Sequence, residues 1–173
     1  MKNLTLILLF SFVSLLAFAQ NDNPKYTVPS EYTFVEPEDY DTYEPQIREV
    51  IDWYLWRSLA FDSEKRRDAS AFFFQWLIGT PTVSVELNTN IANFLDNNPE
   101  LLMPFMMGWT KYSLENDTKD KIECNIASIE TVVGYYNKNK GFLKKDKNIE
   151  DYEKMMKKNK LKNYIKKNIN NLD

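Results

Sequence analysis

The chain has 173 residues, a formal net charge of −3, no histidine, one cysteine and four glycines. Without imidazole, a histidine-activated serine or cysteine nucleophile and a histidine-ligated zinc, copper(II) or haem centre cannot be built within one chain. A single cysteine excludes an intrachain disulfide, and Gly79, Gly108, Gly134 and Gly141 are too scattered to write a dinucleotide or phosphate-cradling glycine motif, so no cofactor is expected.

Lys2 opens an apolar run from Leu4 to Phe18 that closes in Ala17-Phe18-Ala19 before polar Gln20-Asn21-Asp22. A positive start, a short apolar stretch and small residues three and one positions before the cut predict a signal peptide over residues 1–19. The mature protein is therefore expected to be exported, periplasmic or secreted, with no transmembrane span after processing. Residues 20–44 carry prolines at 24, 29 and 37 and an acidic, tyrosine-rich run, which predicts an extended arm. A single helical domain is expected over 45–173.

Pro45 suits a first helical turn, and Ile47, Ile51, Leu55 and Leu59 form a stripe behind it. The next helix has marked ends, with Ser63 as cap, Glu64 in the first turn, and Gly79 and Pro81 as the stop. Inside it, Ala69, Phe72, Phe73, Trp76 and Leu77 keep helical core spacing, while Phe74 and Ile78 make the second half apolar nearly all round, as in a central helix. Residues 82–87 alternate like a strand, but Leu87, Ile91, Phe94 and Leu95 favour a helix from near Ser84. Asn98-Pro99-Glu100 starts another helix, to be kinked or restarted at Pro104. Thr118 to Tyr136 follows, with Ala127, Thr131 and Gly134 as a small face for close helix approach, and Ile149 to Ile169 closes the chain with a break expected near Asn159.

The pattern is an all-α fold of about six helices stacked as antiparallel hairpins, with a short helical-repeat solenoid as the alternative. The stretches Trp76-Leu77-Ile78-Gly79-Thr80-Pro81 through Val85, and Leu101-Leu102-Met103 to Gly108-Trp109-Thr110-Lys111-Tyr112, resemble a family of uncharacterised secreted all-helical bacterial proteins. The resemblance implies export and a compact helical domain, and it transfers no catalytic or binding residue.

Charge is divided along the chain: residues 138–173 hold 12 lysines and 5 acids, net +7, whereas residues 20–137 hold 9 basic and 20 acidic residues, net −11. Lys157, Lys158, Lys162, Lys166 and Lys167 are thus candidate contacts to an anionic membrane or polymer, against the plainer reading of a solvated helix face. An acidic exported chain without a basic, aromatic-interleaved groove gives no nucleic-acid partner. Met103, Met106 and Met107, with Trp109, are candidates for a pliable hydrophobic groove that would take a peptide or lipid, and also for ordinary core. No metal site is expected from them. Glu86, Glu100 and Glu115 keep a carboxylate-based glycan-acting enzyme as an alternative, although no acid pair stands out. Cys124 is expected to be buried, and Trp53, Trp56, Trp76 and Trp109 to be core rather than sugar-stacking. The reading is an exported binding or scaffold module of the cell envelope, with an envelope protein, lipid or anionic polymer as partner.

Overall fold

The computed structural model describes residues 24–169, so the predicted signal peptide lies outside the described residues. Six α-helices follow one another: α1 (Pro37–Trp56), α2 (Ser63–Gly79), α3 (Leu102–Asn116), α4 (Lys121–Asn139), α5 (Lys147–Lys157) and α6 (Leu161–Ile169). Two short 3₁₀ turns, Asn93–Asp96 and Pro99–Leu101, precede α3, and the described residues contain no strand. The fold is all-α.

The first helix starts eight residues before the expected position at Pro45, which shortens the predicted arm. Pro37 occupies its first turn, where the missing N–H costs nothing, and Asp39 Oδ2 accepts from the backbone N–H groups of Val35 (2.9 Å) and Glu36 (3.0 Å). Those two bonds hold the Asp39 carboxyl below its usual range. Pro45 lies inside the helix rather than at its start. Residues 24–36 lie against α1 and α2 through aromatic rings: Tyr32 meets Phe72 edge-on at 4.8 Å, Phe34 stacks on Tyr40 at 5.3 Å, and buried Tyr26 lies 6.1 Å from Trp53.

The cap of α2 is Asp62, not Ser63, with Lys65 N–H donating to Asp62 Oδ1 at 3.1 Å. Gly79 is the last residue of α2 and is not a left-handed cap, since no glycine has positive φ. A methyl group there would lie 1.9 Å from the Tyr40 hydroxyl, so a side chain at this position would have to displace the Tyr40 ring of α1. Trp76 is fully buried and its indole N–H donates to the Tyr40 carbonyl at 2.9 Å, tying α2 to α1.

The expected helix from Ser84 does not form. Residues 83–88 run without helix, turn or bend, and side-chain burial alternates, with Val83 buried, Ser84 exposed, Val85 half-buried and Glu86 exposed. The β-branched residues, with Pro81 just before them, favour this path over a helix. Asn88 then starts a turn, its carbonyl accepting from Ile91 and Ala92. Six helices are present because the last predicted segment divides at Asn159, whose φ is 54°, into α5 and α6.

Pro104 falls in the first turn of α3, where no partner is required for its nitrogen, so the helix begins near it rather than kinking. Helices α3 and α4 form the most extensive helix pair. Gly108 makes this possible: a methyl group there would meet Thr131 Oγ1 at 2.6 Å and Ser128 Cα at 3.0 Å. The small face on α4 is thus Ser128 and Thr131, while Gly134 faces open space. Helices α5 and α6 pack on α4, burying Ile149, Tyr152, Leu161 and Ile165. The buried carboxylate Asp146 caps α5 at Asn148 N–H (2.8 Å) and accepts from Asn97 Nδ2 (3.0 Å), so the start of α5 is anchored to the turn before α3.

Candidate functional site

A groove of about 470 Å³ opens between the outer face of α2, the segment 80–87 and the start of α3. Phe74, Leu77 and Ile78 form one wall, Val83, Val85 and Leu87 the other, and Leu102 and Met106 the floor. Phe74, Ile78 and Leu87 are 46%, 70% and 50% exposed, an unusual display of large apolar side chains along one cleft. Phe74 and Ile78 are the residues that made α2 look central in the sequence. They are apolar because they line a surface groove, not because α2 is covered on every side.

Of the four predicted groove residues, only Met106 lines this cleft. Met107 and Trp109 are fully buried core, and Met103 is half-buried and packed against that core. The helical turn sends successive residues of α3 to different faces, so adjacent positions do not share one surface.

The groove wall has a second property. The hydrogen bonds of the described residues include none from the backbone N–H or C=O groups of Val83, Ser84, Val85, Glu86 and Leu87 to any other backbone group. Just outside that run, Thr82 N–H reaches Thr80 Oγ1 (3.2 Å) and Lys119 Nζ holds the Pro81 carbonyl (3.0 Å). Backbone groups without a protein partner must face water to avoid a desolvation penalty. An ion pair between Glu86 and Lys121 (2.6 Å) pins the far side of the segment.

The basic C-terminal candidates lie on exposed faces, in agreement with their amphipathic spacing, but two of them are engaged within the chain. Lys157 pairs with Glu153 (3.0 Å) and Lys162 with Glu123 of α4. Lys158, Lys166 and Lys167 are exposed and form no ion pair among the described residues. The apolar side of α6 is turned onto the core through Leu161 and Ile165, so only its charged side faces outward.

The three candidate acids are not brought together. Glu86 pairs with Lys121, Glu115 lies 3.7 Å from Lys111 on its own helix, and Glu100 is exposed on the 3₁₀ turn. Among the described residues no three acidic or cysteine side chains are placed to hold a metal ion. Cys124 is buried and free, and its burial, aided by the nearby carboxylates of Asp120 and Glu123, pushes the thiol up to about 11. Trp53, Trp76 and Trp109 are core as expected, but Trp56 is 40% exposed, because it is the last residue of α1 and no later element covers it.

The fold and the groove define an all-helical module with an apolar cleft, one wall of which carries backbone groups without backbone partners among the described residues. Comparisons of the chain with family models, with curated proteins and with solved structures found no match. Among the described residues no helix is long and apolar enough to cross a membrane.

Proposed function

We propose that this chain is an exported binding module of the cell envelope whose groove takes an extended peptide of a partner protein. The observation that carries this reading is the unpaired backbone of residues 83–87 beside exposed Phe74, Ile78 and Leu87. An extended peptide laid along that wall would pair with its free N–H and C=O groups and send alternate apolar side chains into the groove. A lipid chain would fill the apolar volume but leave the backbone groups without partners, so a peptide fits both features. The leader-like residues 1–19 and the resemblance of residues 76–112 to secreted helical bacterial proteins support the export half of the proposal.

The test uses a fluorescein-labelled heptapeptide alternating valine and threonine, and the same peptide with its central residue replaced by proline. Saturable binding of the first, lost with proline and lost in Ile78→Asp, is the expected result. Equal affinity for both peptides would overturn strand pairing, and binding of dodecanoate alone would make the groove a lipid site. Export is checked by the amino-terminal residue of the protein recovered outside the cytoplasm, expected to be Gln20.

A second reading rests on Lys158, just after α5, and Lys166 and Lys167 of α6, three exposed cations without ion-pair partners among the described residues. They support salt-sensitive attachment to an anionic envelope polymer or lipid, each contributing about 1 kcal/mol near an anionic surface. Replacing the three by glutamate should abolish co-sedimentation with anionic vesicles at low salt. Undiminished co-sedimentation would remove the reading. A carboxylate-based enzyme has no comparable observation in its favour.

A further inference from the structure

The C-terminal ends of α1 and α4 meet at a corner distant in sequence from the groove. Trp56 and Arg57 close α1, Phe61 lies in the loop to α2, and Lys138 stands in the last turn of α4. With Ser58, they line a shallow cavity of about 360 Å³. The Arg57 guanidinium lies over the rings of both Trp56 (4.6 Å) and Phe61 (4.3 Å), and Lys138 Nζ lies 5.5 Å from the Trp56 ring. The loop is held there by Asn139, whose Oδ1 accepts from Leu59 N–H (2.7 Å) and Ser58 Oγ (3.3 Å).

Neither cation at this corner has an ion-pair partner among the described residues. Ion pairs of the described residues engage Arg48, Arg67, Lys111, Lys121, Lys145, Lys154, Lys157 and Lys162, and neither Arg57 nor Lys138 is among these. Outside the cavity, buried Arg66 of α2 lies over Tyr54 at 3.9 Å and Tyr135 at 6.0 Å. Arg57 and Arg66 come from the acidic part of the chain, and Lys138 is the first cation of the basic C-terminal part. Burial, and then repulsion from Arg57, lowers the Lys138 pKa, as expected for a cation held beside another without a counter-ion.

Stacking explains how the arginine is fixed but leaves its chemistry unused. A guanidinium meets an aromatic ring with its face and donates hydrogen bonds from its edge, in a fork that matches an acid group. The Arg57 side chain donates no hydrogen bond within the described residues, and its Nε is buried without an acceptor. The exposed ring surfaces of Trp56 and Phe61 give the cavity an apolar rim. We infer that this corner is a binding site for a small organic anion, with the acid group held between Arg57 and Lys138 and the apolar body lying against Trp56 and Phe61. The site is independent of the peptide groove.

Trp56 is a built-in reporter, since the other three tryptophans are buried. The protein is titrated with sodium benzoate, benzyl alcohol and inorganic phosphate while tryptophan emission is followed. The expected result is a saturable change with benzoate, weakened about tenfold or more for the alcohol and in Arg57→Gln, where one charge-assisted contact is lost. Phosphate should bind more weakly than benzoate. Equal response to benzoate and benzyl alcohol would overturn the anion site, and phosphate as tight as benzoate would overturn the apolar part. Should Arg57→Gln fail to fold, Lys138→Gln, an exposed replacement on α4, is read in the same way, and unchanged benzoate affinity in that variant would sink the proposal.

Discussion

The contact between α3 and α4 and the groove between α2 and residues 80–87 are built from similar amounts of apolar sequence with opposite results. In the first, Gly108 lets the two backbones close until Ser128 and Thr131 touch the glycine, and Gly108 and Ser128 are buried. In the second, Phe74 and Ile78 face Leu87 across open space, and residues 83–87 opposite α2 have no backbone partner among the described residues. Apolar character alone does not distinguish a core from a binding cleft. What distinguishes them is whether a neighbour can approach closely enough to exclude water and whether its polar backbone is already satisfied.

The largest effect should come from the inner face of α2. Trp76→Ala removes a fully buried indole and its bond to Tyr40, and should cost about 3–5 kcal/mol in urea unfolding. A loss below about 1 kcal/mol would mean that α2 is not held to α1 as described. At the close contact of α3 and α4, Gly108→Ala must push α4 away from α3 and should cost roughly 1–3 kcal/mol. Its control on the same pair, Gly134→Ala, meets nothing within 4 Å and should stabilise by up to about 1 kcal/mol through helix propensity. If both alanines behaved alike, the close approach at Gly108 would be wrong.

Cys124 sharpens the comparison through pH. Its folded pKa, about 11, lies above the ordinary value of 9.0, so the unfolded chain loses the proton first. Its contribution is therefore complete below pH 9 and is lost as the pH rises through about 11. Cys124→Ala should flatten this alkaline limb relative to the parent protein, and an unchanged limb would show that the thiol is not sealed in α4. The smallest effect belongs to the groove, where Ile78→Ser should change stability by no more than about 0.5 kcal/mol while weakening the valine–threonine peptide. A large loss of stability there would make Ile78 part of the core and close the cleft.

Much of the helical layout was legible. The ends of the Ser63–Gly79 helix fall within one residue of those expected, with Asp62 rather than Ser63 as cap, and the break at Asn159 falls where it was expected. Helix α4 is displaced by three residues at each end because Asp120, through Ile122 (2.8 Å) and Glu123 (3.2 Å), is the effective cap. The start of α1 was hidden because Pro45 looked like a beginning, whereas Pro37 and Asp39 organise the first turn. The helix expected from Ser84 was lost to an extended path whose two-residue alternation had been visible but weighed less than the apolar spacing from Leu87 to Leu95. The groove itself was foreshadowed by Phe74 and Ile78, the surplus apolar residues on α2, and misplaced onto Met107 and Trp109. Nothing in the residue order pointed to Arg57 and Lys138 as neighbours.

By itself the sequence determined the all-helical character, the approximate extent of the Ser63–Gly79 helix, the break at Asn159, and the lack of an intrachain disulfide and of histidine chemistry. These depend on residue inventory and on contacts three or four positions apart, which chain order specifies directly. Tertiary structure alone decided that Trp109 is covered and Trp56 is not, that Gly108 rather than Gly134 admits a neighbouring helix, and that residues 83–87 have no backbone partner among the described residues. The reason is that burial and close approach depend on partners far along the chain, such as Asn139 reaching the loop at Leu59 and Asp146 reaching Asn97. Periodicity shows that a face is apolar, and only the packed fold shows what, if anything, lies against it.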